Sequence, residues 1–481
     1  MEKPQTGRPG SNRQPSTCDD DFGSDAFCAR IRRFCGLVVA DASIELSSPN
    51  NHEGIQPVSS TEKTTLDFDP DDLITPSNYG VAGQPHSIWS QLREHSPVHR
   101  VESSSHPPFY AITRHADIME ISNKPHVFSN SDGPMLLDNQ VHARREENPA
   151  EFGAMRTIIE MDPPEHRDFR KVASGFFTPR SIHRLDQIVE ECARAQVDKL
   201  GEEGECDFVE QIAQRHPLRV LATILGIDPK DEDLLLELTQ QLFADSDPDL
   251  QREGEDREEA TKALIADFGA LFTRIIEDRR AHPTDDLASL LANAKMADGS
   301  AMGPIETFGY YLIVFTAGHD TTRNAISGGM QALLENPAQM QKLCANPELA
   351  KSTVEEIVRW TSPVNYMKRH LLEDVTHKGV DMKAGEDLIM YYASANRDDA
   401  VFEDPFQFNI ERHPNRHLGF GTGEHFCLGS HVARLSARAL FLELANRVEE
   451  MEPAGDPTYI SSSFVVGMKT LPVRYRIRPA N

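Results

Sequence analysis

The sequence has few cysteines, and they follow no recognisable pattern. Only seven occur in 481 residues, and none has a second cysteine at the short spacing of a zinc site. An odd, scattered set also argues against a disulfide framework and suits a reducing cytosol, so we expect a cytoplasmic protein. The cysteines are Cys18, Cys28, Cys35, Cys192, Cys206, Cys344 and Cys427.

Long apolar runs and positive charge are also scarce. The longest early run, Phe34 to Ala40, is far shorter than the ~20 residues of a membrane span, so no membrane anchor is expected. Lys and Arg number 49 against 76 Asp and Glu, a net charge of −27. This charge argues against nucleic acid and anionic lipid as partners, although its ordinary meaning is a well-solvated acidic surface.

Composition divides the chain into two parts. Residues 1–64 are rich in Ser, Pro, Asn, Asp and Gly, which predicts a disordered extension, and residues 65–481 form the expected globular domain. Helical patterns dominate that domain, and the short strands are segregated rather than alternating with helices, which argues against a doubly wound parallel sheet. The predicted helices are Ser87–Glu94, Pro179–Leu200, Asp231–Ala244, Arg257–Ala281, Pro304–Leu334, Pro347–Thr361 and Gly429–Val448, and the predicted strands are Pro97–Val101, Phe109–Thr113, Val375–His377 and Asp387–Ala393.

The most informative feature is one cysteine in a glycine-rich turn. Cys427 follows Phe420, Gly421 and Gly423 and precedes Gly429, after which an apolar helical pattern begins. Such a turn delivers the thiol to a helix N-terminus, where backbone N–H groups and the helix dipole favour the thiolate. The glycines allow the backbone to curl and a flat group to approach closely.

Three other interpretations of Cys427 compete with a ligand role. A lone cysteine is most often a small buried apolar residue. Covalent haem attachment needs Cys-x-x-Cys-His, which is absent, and a dinucleotide loop fails because Phe426 stands where its third glycine belongs. The turn instead resembles the haem-binding signature of the cytochromes P450, in which the cysteine sulfur is the axial ligand of the iron.

A second motif lies inside a long apolar helical segment. Ala317-Gly318-His319-Asp320-Thr321-Thr322 places a glycine and an Asp-Thr pair where they cost helix stability. The structural interpretation is a kinked helix whose polar groups bond back to carbonyls. The resemblance implies instead the oxygen-binding helix of the family, with Ala317 and Gly318 leaving room for dioxygen and Asp320 and Thr321 relaying protons.

A further set of charged residues fits the same family. Glu356 and Arg359, at i and i+3, would ordinarily be a solvated helix pair. The resemblance implies that they join Arg412 in a structural triad that holds the cysteine loop.

Four basic side chains are assigned to the haem carboxylates by the resemblance. His166 and Arg170 lie at i and i+4 on a predicted helix, and without the resemblance they would be a solvated helix start. Arg369 and His425 match two more positions that contact these propionate groups in the family. Propionates require charge-assisted donors in a partly buried site.

The resemblance extends over roughly Leu66 to Arg478. It implies a mainly α fold with a small β subdomain, the cytochrome P450 fold, with haem b (iron protoporphyrin IX) buried at its centre. The implied activity is that of a haem-thiolate monooxygenase inserting one oxygen atom of O2 into a C–H bond of a lipophilic substrate. A peroxide-driven peroxygenase of the same fold and a non-catalytic haem-binding protein are the alternatives.

Substrate and partners follow less directly. Steroid, terpenoid and fatty-acyl compounds are the substrate types implied, with core packing as the other interpretation of the apolar residues assigned to the pocket. A ferredoxin and its NAD(P)H-dependent ferredoxin reductase are the implied partners, docking on the face near Cys427. The pocket residues are Val314, Val364, Phe464 and Val465, and the docking charges are Arg412, Arg416, Arg434 and Arg438.

Overall fold

The computed structural model describes residues 66–147, 156–178, 181, 183–243, 247 and 257–479. The predicted extension over residues 1–64 lies outside these residues. Within them, helices make up most of the molecule. They are α1 Pro76–Ala82, α2 His86–His95, α3 His115–Ser122, α4 Asn139–Glu147, α5 Glu165–Ser174, α6 Asp186–Asp198, α7 Arg215–Ile224, α8 Glu232–Phe243, α9 Arg257–Ala281, α10 Leu287–Ala292, α11 Pro304–Glu335, α12 Pro337–Ala345, α13 Ala350–Thr361, α14 Tyr392–Ala395 and α15 Ser430–Arg447.

The strands form small sheets beside the helices. A five-stranded sheet has the order β1-β2-β8-β5-β3, in which only β2 and β8 are parallel, and a three-stranded sheet has the order β4-β12-β9. Two hairpins, β6-β7 and β10-β11, complete the β structure of the described residues. This architecture confirms the predicted fold class. The strands are β1 Val98–Val101, β2 Phe109–Ile112, β3 Phe128–Ser129, β4 Glu203–Asp207, β5 Tyr366–Leu371, β6 Val375–His377, β7 Val380–Met382, β8 Asp387–Tyr391, β9 Val448–Pro453, β10 Thr458–Tyr459, β11 Met468–Thr470 and β12 Pro472–Ile477.

Helix α11 runs through the centre of the largest apolar core. Pro304 occupies its first turn, where the missing N–H costs nothing, and 20 of its 32 residues are buried. A helix that is buried on most of its circumference belongs to the middle of a large core. It packs against α7, α13 and α15, so the Asp-Thr motif is in the interior.

Three predicted elements differ from those observed. The strand predicted to reach Ala393 ends at Tyr391, because Tyr392–Ala395 turn into the short helix α14. Residues 179, 180 and 182 of the helix predicted over Pro179–Leu200 lie outside the described residues; of the rest, His183–Leu185 form a 3₁₀ turn and Asp186–Asp198 an α-helix. The first turn of the helix predicted from Pro347 is likewise 3₁₀.

No helix in the described part of the chain has the length and apolar composition needed to cross a bilayer.

Candidate functional site

The loop before α15 holds Cys427 with its backbone folded back on itself. The Cys427 N–H donates to the Phe420 carbonyl at 2.9 Å, and Gly421 and Gly423 have φ of 66° and 72°. A Cβ at position 423 would lie 2.5 Å from the carbonyl oxygen of Ser122 in α3, so only glycine fits there. The loop is therefore pinned between its own backbone and α3, and it ends at Gly429, the N-cap of α15.

The surroundings of the Cys427 sulfur have two opposing effects on the pKa of the thiol. Burial raises the pKa of the Cys427 thiol. The N–H groups of Gly429 and Ser430 hydrogen bond the sulfur and oppose that rise, as do the charges of Arg170 and Arg434. A sulfur with donors and positive charge around it is suited to bind a metal ion as thiolate, since the metal supplies the charge that burial otherwise demands.

Basic groups gather beside the loop, and several of their nitrogen atoms have no acceptor in the described residues. The rings of His166 and His425 lie 4.1 Å apart between centroids. Neither nitrogen of His166, nor Nε2 of His425, has a hydrogen-bond partner among the described residues. Arg170 donates to the Phe426 carbonyl at 2.6 Å, and the buried Arg369 donates to the Lys368 carbonyl at 2.7 Å. The structure thus brings together the four side chains that the sequence assigned to carboxylates.

The pKa shifts of the two histidines reflect the burial and the positive charge of this cluster. Burial, followed by the charges of Arg369, His166 and Arg170, lowers the pKa of His425 to about 2. Burial and Arg170 also lower the pKa of His166. No described carboxylate forms an ion pair with Arg170 or Arg369. Donors and positive charge that repel one another around a buried space suit a ligand carrying carboxylates.

One face of α11 is accessible around Ala317 and Thr321. Ala317 is exposed and Thr321 half-buried, although Thr316 and Asp320 beside them are buried. Thr321 Oγ1 donates to the Ala317 carbonyl at 2.7 Å. The small side chain of Ala317 leaves room on this face for a small molecule. The Thr321 hydroxyl, one turn later, can interact with it.

Gly318 lies against a neighbouring helix. A Cβ at this position would lie 3.1 Å from the side chain of Leu221 in α7. Its small size therefore allows the close packing of α11 on α7, and its role beside dioxygen stays a prediction.

Asp320 is buried and separate from Thr321. Its Oδ1 accepts from Arg323 Nη1 at 3.3 Å, and its Oδ2 has no partner in the described residues. Burial raises the pKa of Asp320, while His319 and Arg323 act against the rise. Neighbouring helix residues do not face each other, so a proton passing between the two side chains needs a water molecule between them.

The Glu356-Arg359-Arg412 set forms a closed buried network. Arg359 Nε and Nη2 each lie 2.8 Å from a carboxylate oxygen of Glu356, a bidentate pair, and Arg412 Nε lies 3.2 Å from both oxygens. The Asn409 N–H donates to the same carboxylate at 2.9 Å. Arg359 and Arg412 also donate to carbonyls of the segment before the cysteine loop, namely those of Asn396, Glu403, Asp404, Pro405 and Gln407.

A second network beside the loop is absent from the sequence-based set. Arg434 donates to both oxygens of Glu355 at 2.7 and 2.9 Å, and its guanidinium lies 4.2 Å from the centre of the Phe420 ring. His417 Nε2 lies 3.0 Å from the same carboxylate. Arg434 is therefore committed within the protein rather than available as a docking charge. The adjacent Glu355 and Glu356 were the only sequence signal, and their helix spacing does not reveal which partner each takes.

The predicted pocket residues fall in two places. Val364 and Val465 pair through an isolated β-bridge, and Phe464 packs on Tyr366 with ring centroids 5.3 Å apart. Val314 is half-buried on α11, one turn before Gly318. The structure joins the segments around residues 364 and 464. Val314 lies on a separate element, α11.

Comparison with known proteins identifies the family. The sequence model of the family Cytochrome P450 matches residues 236–475. The chain is 36% identical to "Cytochrome P450-terp" of Pseudomonas sp over 84% of its own length and 96% of that protein. This chain belongs to the cytochrome P450 family. It is an oxidoreductase that incorporates oxygen, a P450 monooxygenase, as its relatives are.

Two further matches support the assignment to P450. The chain is 34% identical to the methyl-branched lipid omega-hydroxylase of Mycobacterium tuberculosis, over 80% of this chain and 90% of that one. The crystal structure of CYP108D1 from Novosphingobium aromaticivorans DSM12444 superposes with a TM-score of 0.77 at 33% identity, covering 85% of this chain and 98% of that one.

The residues present fit the haem that membership of the P450 family implies. Cys427 offers a sulfur surrounded by donors, as an axial ligand requires. The free nitrogens of His166, Nε2 of His425 and the two arginines without an ion pair in the described residues provide the donors that its propionates need. The donor set of this chain is thus complementary to the group.

Proposed function

We propose that this P450 is a haem-thiolate monooxygenase that inserts one oxygen atom of O2 into a C–H bond of a lipophilic substrate. The observation that carries the proposal is the Cys427 loop, set at the N-terminus of α15 beside a cluster of basic groups with unpartnered imidazole nitrogens. The cofactor proposed is haem b, and its chemistry is the reductive activation of dioxygen.

The loop and its neighbours bind and orient the cofactor. Cys427 would supply the thiolate that ligates the iron, and His166, Arg170, Arg369 and His425 would hold the two carboxylates. Burial is the main cause of the low pKa of His425, about 2, and a bound carboxylate pair offsets the neighbouring positive charges that lower it further. Binding is therefore expected to raise the pKa values of both imidazoles. Phe420, Gly421 and Gly429 shape the loop, as the hydrogen bond from Cys427 to Phe420 requires.

Proton delivery is the task of α11. The Thr321 hydroxyl stands on the accessible face one turn from Ala317, where a bound oxygen molecule has room. Asp320 is the buried carboxyl group of the route, and burial raises its pKa, which favours proton exchange at this position. Water between them completes the route.

Glu356, Arg359 and Arg412 have a structural role in the proposal. Their network ties α13 to the segment from residue 403 to 409, which leads into the cysteine loop. A buried carboxylate shared by two arginines is costly to break because each partner is left unpaired. The triad thus fixes the path of the chain that presents Cys427.

The apolar side chains assigned to the pocket support a lipophilic substrate. Val364 and Val465 lie at a bridge between two chain segments, with Phe464 next to it. One relative is named for methyl-branched lipids. Steroids, terpenoids and fatty-acyl chains all meet the requirement for an apolar ligand with few polar groups.

Incorporation of labelled oxygen tests the proposal. The purified holoprotein is supplied with ferredoxin, ferredoxin reductase and NADPH under ¹⁸O2, with a panel of sterols, terpenoids and branched fatty acids. We expect one ¹⁸O atom in a hydroxylated product and a spectral shift on titration with the same compound. Equal turnover with hydrogen peroxide alone would instead identify a peroxygenase, and binding without product from either oxidant a non-catalytic haem protein.

The electron donor is proposed to be a ferredoxin that docks near Cys427. In the described residues, Arg416 and Arg438 form no ion pair, whereas Arg412 and Arg434 are committed to Glu356 and Glu355. Charge reversal by Arg438→Glu is therefore expected to slow reduction by ferredoxin at low salt, with the difference shrinking at high salt.

The matched control for docking is Lys230→Glu, the same change of charge in the exposed turn before α8. Equal slowing by both variants would mean that net charge, not a docking site, sets the rate.

A further inference from the structure

Unsatisfied polar atoms concentrate in one turn of α11. Between His319 and Asn324, the described residues leave five buried side-chain atoms without a partner. Most buried polar groups in proteins are hydrogen-bonded, so such a concentration calls for a functional explanation. The atoms are His319 Nδ1, Asp320 Oδ2, Arg323 Nε and both amide atoms of Asn324.

Of the side chains around Asp320, only Arg323 donates to its carboxylate. His319 Nε2 lies 2.9 Å from the Gln214 carbonyl, which can only accept, so this nitrogen carries the proton. Burial lowers the pKa of His319, which keeps the ring neutral. Its Nδ1 then presents a lone pair toward Asp320 Oδ1, 3.8 Å away, and offers no proton.

Arg323 is itself held by the C-terminal segment. Its Nη2 donates to the Met468 carbonyl at 3.0 Å, at the start of β11. A Cβ on Gly467 would lie 2.1 Å from the Asn324 side chain, so this segment packs directly on α11. The planar guanidinium therefore spans two fixed points, the acid on one side and a backbone carbonyl on the other.

We propose that Arg323 is the positioning residue of Asp320, and that Asp320, Arg323 and Asn324 enclose ordered water that connects the carboxylate to the proton route. Arg323 holds Oδ1 and leaves Oδ2 open to that water. Asp320, Arg323 and Asn324 are spaced at i, i+3 and i+4, which places them on one helix face. The inference rests on the proposed monooxygenase function and adds the residue that orients its acid.

The geometry also accounts for the charge on the acid. The titratable side chains that face Asp320 in the described residues are His319 and Arg323, both on α11. The segments packed against them contribute the backbone carbonyls of Gln214 and Met468. Arg323 is thus the side chain that both donates to Asp320 and places a permanent positive charge beside it.

Two variants and two measurements test the inference. Arg323→Gln removes the charge and one arm of the fork, and Arg323→Lys keeps the charge without the fork. A misplacement of about 1 Å can cost on the order of 100-fold in rate. We expect Arg323→Gln to lower product per NADPH about 10-fold with release of peroxide, and Arg323→Lys to restore part of that ratio.

The second measurement does not need turnover. Infrared difference spectra of the ferric holoprotein across a pH titration show the protonated carboxyl of Asp320, identified by its absence in Asp320→Asn. Loss of an adjacent positive charge should raise the pKa of Asp320 by about 1 unit or more in Arg323→Gln, and Arg323→Lys should titrate near wild type. If the wild type makes no product, the proposed function fails while this titration still decides the position of Asp320.

Arg279→Gln is the matched control. Arg279 also links a carboxylate to a backbone carbonyl, with Nε 2.7 Å from Asp286 and Nη2 2.6 Å from the Gly226 oxygen. A purely structural loss would appear in both variants as lower stability with an unchanged product ratio. Unchanged ratio and titration in Arg323→Gln overturn the inference, as does an equal fall in ratio for Arg279→Gln. If Arg323→Gln does not fold, Arg323→Lys is the test. A product ratio below that of wild type supports the inference, and an unchanged product ratio overturns it.

Discussion

Thr321 and Thr322 are adjacent on α11 and have different surroundings. Both donate to the carbonyl four residues earlier, at 2.7 and 2.8 Å, but Thr321 is half-buried on the accessible face and Thr322 is buried. Thr321→Ala should leave haem content and substrate affinity nearly unchanged while product per NADPH falls several-fold and peroxide is released, because general acid–base groups contribute about 10²–10⁴-fold.

Thr322→Ala provides the comparison for that prediction. It removes the same hydroxyl and the same type of back-bond from the other side of the helix, so its product ratio should match wild type. Equal uncoupling in both variants, measured as peroxide per NADPH, would assign the effect to the helix rather than to the Thr321 hydroxyl.

At the residue scale, the sequence predicted which side chains lie together in the basic cluster, but it did not predict every contact that a residue makes. The sequence placed His166, Arg170, Arg369 and His425 in one set, and they do lie together around the loop. Arg434 shows the limit. Its pairing with Glu355 joins residues 79 apart in the chain, and such a contact depends on how α13 and α15 pack. Gly318 shows the same limit, because its neighbour Leu221 comes from another helix.

The triad between α13 and the cysteine loop sets a prediction at the scale of elements. Glu356→Gln leaves two arginines around a neutral amide in a fully buried site, which should cost about 3–5 kcal/mol of stability and lower haem retention. Lys342→Ala breaks an ion pair to Glu411 whose side chains are both 49% exposed, and it should cost about 1 kcal/mol or less. Thermal unfolding of both holoproteins measures the difference, and similar midpoints would contradict a structural role for the triad.

The packing of α13 on α15 also predicts a dependence on pH. Burial alone would raise the pKa of Glu355, but hydrogen bonds from His417 and Arg434 outweigh it and lower the value to about 2. A depressed carboxyl pKa stabilises the fold above the unfolded value of 4.5, and this stabilisation is lost as pH falls toward 2. The stability difference between wild type and Glu355→Gln should therefore be about 2 kcal/mol and constant from pH 7 to about 5, then shrink. A difference that grows on acidification would contradict the assignment.

Elements were predictable where the pattern was long. The bounds of α9 agree with the prediction, and those of α11 differ by one residue at the end. Some short strands were predicted, such as β6, but β5, which carries Arg369, was not, because its alternation includes buried charged residues. The strand predicted through Ala393 was wrong at its end, where Tyr392 and Ala393 meet the Asn365 carbonyl rather than a neighbouring strand.

At the scale of the whole molecule, residues 1–60 are predicted to be dispensable. Their composition is too polar to bury enough apolar surface to offset the entropy of ordering. Deleting them should leave the haem spectrum, thermal midpoint and turnover within error of the full chain. Loss of folded holoprotein on deletion would show that this segment contributes to the domain.

We propose that Cys427 ligates the iron of a bound haem through its thiolate. The carbon monoxide complex of the reduced protein measures it most directly, since thiolate ligation shifts the Soret band strongly to the red. The account predicts that band in wild type and in Cys344→Ala, which removes a half-buried cysteine elsewhere, and its absence in Cys427→Ala. A Cys427→Ala protein with the red-shifted band unchanged would contradict the account.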